Sequence, residues 1–147
     1  MSTLPLRPLR RTVLAAAVLL LAGCAGIPSA PEPGSDADRA QLLERARAYW
    51  AAIQANDRVT AWSYEEISLD PRWTLQAYLT SGGIVFDEVE VLAVERIEGD
   101  TAVVRVRQKY SLPQVRLRGQ EAVLDDPWKR IDGRWYHVRR RSVMFGD

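Results

Sequence analysis

The stretch IVFDEVEVLAVERIEGDTAVVRVRQKYSL, residues 84–112, holds two runs in which apolar and polar side chains alternate, separated by Gly99-Asp100. Alternation with a period of two is the mark of half-buried strands, and a two-residue turn at Gly99-Asp100 pairs Glu98 with Thr101. That pairing sets the register. One face then carries Val89, Val91, Ala93 and Ile97 beside Ala102, Val104, Val106 and Tyr110. The other carries Glu88, Glu90, Leu92, Val94 and Arg96 beside Val103, Arg105, Arg107 and Lys109, with Glu90 opposite Lys109. A slip of one residue would mix the faces of both strands, so their agreement supports the pairing. Within the apolar face Glu95 is the one acid and Gln108 the other polar member.

Working outward, Val115 to Ile131 predicts further strand, broken or bulged at Asp125-Asp126-Pro127 because proline cannot donate to a ladder. Asp132-Gly133 is a hairpin turn, and Arg134 to Val143 completes the sheet. Upstream the period changes to that of helices. Ser35 with Asp38 starts a helix in which Leu43, Ala46, Trp50 and Ile53 share a face, ending near Asn56-Asp57. A shorter helical stretch runs through Val59, Trp62 and Glu66. Asp70-Pro71 then opens a third helix with Leu75, Tyr78 and Leu79 on its apolar side, closed by Gly82-Gly83. Helices grouped ahead of an antiparallel sheet predict a single α+β domain with the helices on one face.

The N-terminus carries Arg7, Arg10 and Arg11, an apolar run from Thr12 to Leu21, and Leu21-Ala22-Gly23-Cys24. A basic segment, a short apolar segment and small residues at a cut make a secretory signal peptide. Arg10-Arg11 is read as part of that basic segment. The apolar run is about ten residues against the roughly 20 a spanning helix requires. The tetrapeptide resembles the lipobox of bacterial lipoproteins, which implies cleavage before Cys24 and acylation of its thiol and new amino group. Cys24 is the only cysteine, so an acylated chain has no thiol left for a disulfide or a thiolate metal site. Three segments are therefore expected: a signal peptide over 1–23, a Pro/Gly-rich tether over 24–35 and an α+β domain over 36–147. Ala25, rather than aspartate, after the cysteine resembles lipoproteins sorted to the outer membrane facing the periplasm in Gram-negative bacteria.

The order of helices and long antiparallel strands, ending in Trp128-Lys129-Arg130-Ile131-Asp132-Gly133-Arg134-Trp135-Tyr136, resembles the nuclear-transport-factor-two-like superfamily. The resemblance implies a curved sheet wrapped around helices as a cone, over most of residues 36–145. Enzymes of that superfamily place a carboxylate, or a histidine with an aspartate, inside the cone, which would make Glu95 or His137 the proton-moving group of an isomerase or dehydratase. Fold alone does not choose a chemistry. His137 is the only histidine, aligned on the last hairpin with Trp135 and, across the turn, Trp128. Which face of that hairpin points inward is open from sequence alone. Without a second histidine no His-based metal site is expected, and no cofactor is implied. The carboxylate pairs Glu65-Glu66, Asp87-Glu88 and Asp125-Asp126 lack calcium-loop spacing and read as solvated charge.

Aromatic side chains are numerous; Tyr78, Tyr110 and Trp128 are candidates to line a pocket, with core filling as their plainer role. Charge divides unevenly, with 6 basic against 14 acidic residues over 24–104 and 11 against 5 over 105–147. Arg105, Arg107 and Lys109 alternate on the outward face, joined by Arg116, Arg118 and Arg139-Arg140-Arg141. Such a face suits an acidic protein or an anionic envelope component. The plainer role is a solvated face neutralised by Glu88 and Glu90. Nucleic acid is not expected at an extracytoplasmic address, and a homodimer through the open sheet would have to overcome the like charges. The expected protein is a lipid-anchored extracytoplasmic module that binds or scaffolds, with the small enzyme as its alternative.

Overall fold

The computed structural model describes residues 31–139, so Cys24, the signal segment, residues 24–30 of the tether, Arg140-Arg141 and the expected end of the last strand at Val143 lie outside the described residues. Helix α1 runs Asp36–Gln54. The Ser35 hydroxyl accepts from the Asp38 N–H at 3.1 Å, and Asp36 and Asp38 place negative charge at the positive end of the helix. Its far end closes as the sequence implies. Asn56 takes a left-handed φ of 56°, and the Asp57 N–H turns back to the Ala52 carbonyl at 2.8 Å, a Schellman closure. The buried stripe comprises Asp38, Leu42, Ala46, Tyr49, Trp50 and Ala52, with Leu43 and Ile53 half-buried at its margin. The stripe keeps Ala46 and Trp50 but is centred roughly half a residue step from the face expected, because Tyr49 and Asp38 have partners inside.

Helix α2 spans Arg58–Trp62 and is capped by Asp57, whose side chain accepts from the Thr60 N–H. A 3-10 turn follows at Glu66–Leu69. Asp70-Pro71 does not open the third helix. Asp70 folds instead onto Arg72, accepting from its backbone N–H at 3.0 Å and from its guanidinium. Helix α3 begins at Leu75 and ends at Thr80, with the Thr74 hydroxyl accepting from the Ala77 N–H.

Four antiparallel strands follow in the order β1 (Val85–Glu98), β2 (Thr101–Leu112), β3 (Leu117–Ile131) and β4 (Arg134–His137). Glu98 pairs with Thr101 as expected, but the register then shifts three times, between Phe86 and Glu88, Val91 and Ala93, and Val94 and Arg96. Each shift leaves one extra residue on β1, which bends the strand and re-aims the side chains beyond it. The inward set becomes Phe86, Val89, Val91, Val94 and Ile97, opposite Tyr110, Gln108, Val106, Val104 and Ala102. Four expectations fail on this account, the first being Ala93, which is exposed opposite Arg105 instead of inward. Val94 is buried instead of outward, Glu95 is an exposed bulge residue, and Glu90 stands opposite Arg107 while Glu88 faces Lys109.

Strand β3 is continuous through Asp125-Asp126-Pro127. The Pro127 carbonyl accepts from the Val138 N–H, so its ring nitrogen faces the β4 side, just past the last ladder pair of Trp128 with His137. No β2 hydrogen bond is lost. The core lies between α1 and the inner face of the sheet, with Leu42, Ala46, Tyr49 and Trp50 against Val94, Val104, Val106, Trp128 and Trp135.

The rotation of α1 can be tested directly. Leu42→Ala should lower the unfolding free energy by about 2–5 kcal/mol, as for a fully buried leucine, and Leu43→Ala by clearly less. Urea unfolding midpoints measure both, and equal losses would contradict a stripe centred on Leu42.

Candidate functional site

The last hairpin turns at Asp132 and Gly133, both left-handed with φ of 49° and 73°, the conformation a tight two-residue hairpin requires. The resulting register sets Trp128 opposite His137 and Arg130 opposite Trp135. All four side chains are buried, which places the His137 face inward. Two other segments meet His137 there. From α1, the Tyr49 ring stacks on the imidazole at 4.2 Å between centroids. The link after α2 runs beside β4, where the His137 N–H donates to the Tyr64 carbonyl at 2.8 Å and Glu65 bridges to His137.

Glu65, Asp126 and His137 form one closed network. Nδ1 of His137 lies 3.1 Å from Oε2 of Glu65, and Nε2 lies 2.9 Å from Oδ1 of Asp126. The other oxygen of each carboxylate is also engaged. Oε1 of Glu65 accepts from the hydroxyls of Tyr49 at 2.9 Å and Tyr78 at 3.2 Å. Oδ2 of Asp126 accepts from the indoles of Trp50 at 2.9 Å and Trp128 at 2.8 Å. Glu65 is 1% exposed, Asp126 6% and His137 7%.

Burial by itself would push the imidazole toward neutrality. The charge and hydrogen bond of Asp126, and then those of Glu65, outweigh that and raise His137 to about 9. Burial and the Glu65 charge also raise the two phenols, Tyr78 to about 12 and Tyr49 well above its ordinary value, so both remain donors. At neutral pH the site is an imidazolium donating to two carboxylates.

This arrangement holds a proton tightly. A general base needs a free nitrogen and a pKa near the working pH, and both ring nitrogens of His137 are occupied. The same occupancy leaves no lone pair for a metal, and among the described residues no group of three or more metal-ligating side chains is arranged to hold an ion. Two surface clefts, of about 420 and 320 Å³, are lined by Glu66, Arg96, Val103, Pro127 and Lys129 and by Gln41, Glu44, Arg45 and Tyr64. Neither is bordered by Glu65, Asp126 or His137.

Of the sequence candidates, His137, Tyr78 and Trp128 come together here, and Tyr110 sits half-buried farther along the inner face opposite Phe86. Glu95 does not join them. Glu65 and Asp126, expected as solvated charge, prove to be the core of the site. Asp126 lies two residues from Trp128 on one strand and so had to share its face; the expected break at Pro127 hid that. Glu65 lies in the stretch expected to be helical through Glu66, but α2 ends at Trp62 and Glu65 reaches His137 through tertiary contact.

A second buried cluster fixes the start of α1. Asp38 accepts from Arg130 at 3.0 Å and from the Trp135 indole at 2.8 Å, while Arg130 also reaches Asp100 and the Gly99 carbonyl. On the outer face Arg105 pairs with Asp125 at 2.6 Å and Arg107 with Glu90, so these cations are neutralised instead of bare.

No protein-family model matches the chain, and no curated protein matches it. Two solved structures are similar. One is a SEC-C motif containing protein from Rhodopseudomonas palustris, at 19% identity and a TM-score of 0.44, over 69% of this chain and 76% of that one. The other is a Streptomyces avermitilis protein of the nuclear-transport-factor-two-like family, proposed to be a dehydratase, at 19% identity and a TM-score of 0.40, over 70% of this chain and 95% of that one. No feature of the site rests on either likeness.

The raised pKa of His137 makes stability depend on pH. Folded protein keeps a proton that the unfolded chain releases at about 6.5, so this stabilisation is complete below that pH and is lost as pH rises through about 9. Unfolding free energy should fall across that window by of order 3 kcal/mol, and His137→Gln should lose the slope as well as the stability. Denaturant titrations at stepped pH measure it; a wild-type curve flat across the window would contradict the network.

Proposed function

We propose that this chain is a lipid-anchored extracytoplasmic module that binds or scaffolds a partner, built on a nuclear-transport-factor-two-like cone whose interior is filled. The observation that carries the reading is the saturation of the inward ionisable groups. Every nitrogen of the His137 ring and every carboxylate oxygen of Glu65 and Asp126 has a protein partner. Tyr49, Trp50 and Trp128 occupy the space around them. An isomerase or dehydratase of this architecture would need that interior open, with an unoccupied base beside a substrate carbonyl. The helices followed by a bulged antiparallel sheet support the cone, since bulges curl a sheet around the elements it covers.

The anchor reading is carried by the Leu21-Ala22-Gly23-Cys24 sequence. No described helix is long and apolar enough to cross a membrane. Two or three acyl chains on one residue hold a protein far longer than one, at about 0.8 kcal/mol per buried methylene. Anchoring then raises the effective concentration of the domain toward partners at the same surface.

In cells fed labelled palmitate, the full-length protein should take up label at Cys24 and fractionate with membranes until detergent is added. Cys24→Ser should take up none and remain unprocessed at that bond. A Cys24→Ser protein matured at the same bond and retained as firmly in the envelope would overturn the proposal.

A further inference from the structure

At the end of the sheet far from the Gly99-Asp100 turn, β2 and β3 are joined by Pro113–Val115, a single 3-10 turn, and by Arg116 in a left-handed conformation with φ of 56°. This tip is unusual in composition. From Ser111 to Gly119 there is no acidic residue, and the sequence alternates Val115, Arg116, Leu117, Arg118. Val115 is 68% exposed, and Leu117 is exposed with it. The register sets Val85 opposite Ser111, and the Gln114 side chain lies against Gly83, which brings the exposed Ile84 and Val85 beside the same tip. Arg105 and Arg107 are paired, whereas Arg116 and Arg118 have no carboxylate partner among the described residues.

The tip thus carries four exposed apolar side chains and the guanidiniums of Arg116 and Arg118, with one acid, Asp87, already accepting from the Ser111 hydroxyl at 2.7 Å at its base, a composition that an anionic bilayer accommodates better than water does. The apolar groups enter the acyl boundary while the arginines meet phosphate. We propose that this tip, with Ile84 and Val85 beside it, is a second membrane contact that inserts at the surface of a bilayer containing anionic phospholipid. The proposal rests on the lipid-anchored reading for the presence of a bilayer. The positions of the two contacts fit each other. Asp38 with Arg130, and Arg39 with the Val94 carbonyl, hold the start of α1 near the Gly99 end. The twelve residues of β2 put the tip roughly 40 Å away. Residues 24–35 can extend to about the same length, so a chain anchored at Cys24 can lie along the bilayer with both ends touching it.

The test places an environment-sensitive fluorescent amino acid at position 115 of the full-length mature protein, reconstituted in vesicles of phosphatidylcholine alone or mixed with phosphatidylglycerol. A shift to shorter emission wavelength, and quenching by a lipid-borne quencher, are expected only with phosphatidylglycerol, and both should weaken as salt is raised. Arg116→Asn with Arg118→Gln, asparagine being tolerant of the left-handed backbone, should abolish the shift. If that variant does not fold, the contrast between the two vesicle types in the unaltered tip still decides. A probe that stays in water on both vesicles overturns the proposal, as does a photocrosslinker at 115 that captures protein and no lipid in intact cells. Acylation of Cys24 is read separately, from the mass of the N-terminal peptide. If that peptide carries no lipid, adding vesicles to the labelled protein in solution should still give the shift.

Discussion

An imidazolium held between two buried carboxylates is the interaction that ties the three parts of this structure to one another. His137 comes from the last strand, Asp126 from the strand beside it, Glu65 from the link after α2, and the tyrosines and tryptophans that complete the shell come from α1, α3 and β3. Removing three ionisable groups from water is expensive, and their mutual attraction offsets it only when every remaining polar atom is satisfied. Here each one is. A network of that kind tolerates no partial version, because a missing partner leaves a buried charge exposed to a medium that cannot solvate it.

The shape of the sheet is what allows the three groups to meet. Three bulges give β1 an inward spacing of three, two, three and three residues from Phe86 to Ile97, which curls it over α1 and leaves the acids Asp87 and Glu95 outside. Asp38 and Arg130 secure the opposite end of α1 against the Gly99 turn. The helix is therefore held at its start by one ion pair and along its second half by the stacking of Tyr49 on His137, so its buried stripe is fixed by polar as well as apolar contacts.

Much of this fold is legible in the residues themselves. The Glu98-Thr101 and Asp132-Gly133 turns, the cap at Ser35 and the close at Asn56 each rest on chemistry within a few residues, and each stands where that chemistry puts it. The bulges are not legible in that way, since alternation assumes an unbroken ladder and extra residues on one strand appear only when the partner is in place. The site divides similarly. His137 and Trp128 share a face by register, and Asp126 follows from the same arithmetic once Pro127 is seen to point away from β2. Glu65 belongs to a stretch whose helical period extends past the actual end of α2 at Trp62, and only the packing of that link on β4 identifies it.

Under the reading proposed above, the partner surface lies outside the sheet and helix core, where Arg105 and Arg107 are already paired with Asp125 and Glu90. The interior itself depends on the state of one ring, and since the chain has a single histidine that state can be measured without assignment. Nitrogen NMR of His137 should show both ring nitrogens protonated at neutral pH, with a titration near 9. A neutral ring at that pH, titrating at or below the ordinary value of about 6.5, would contradict the account.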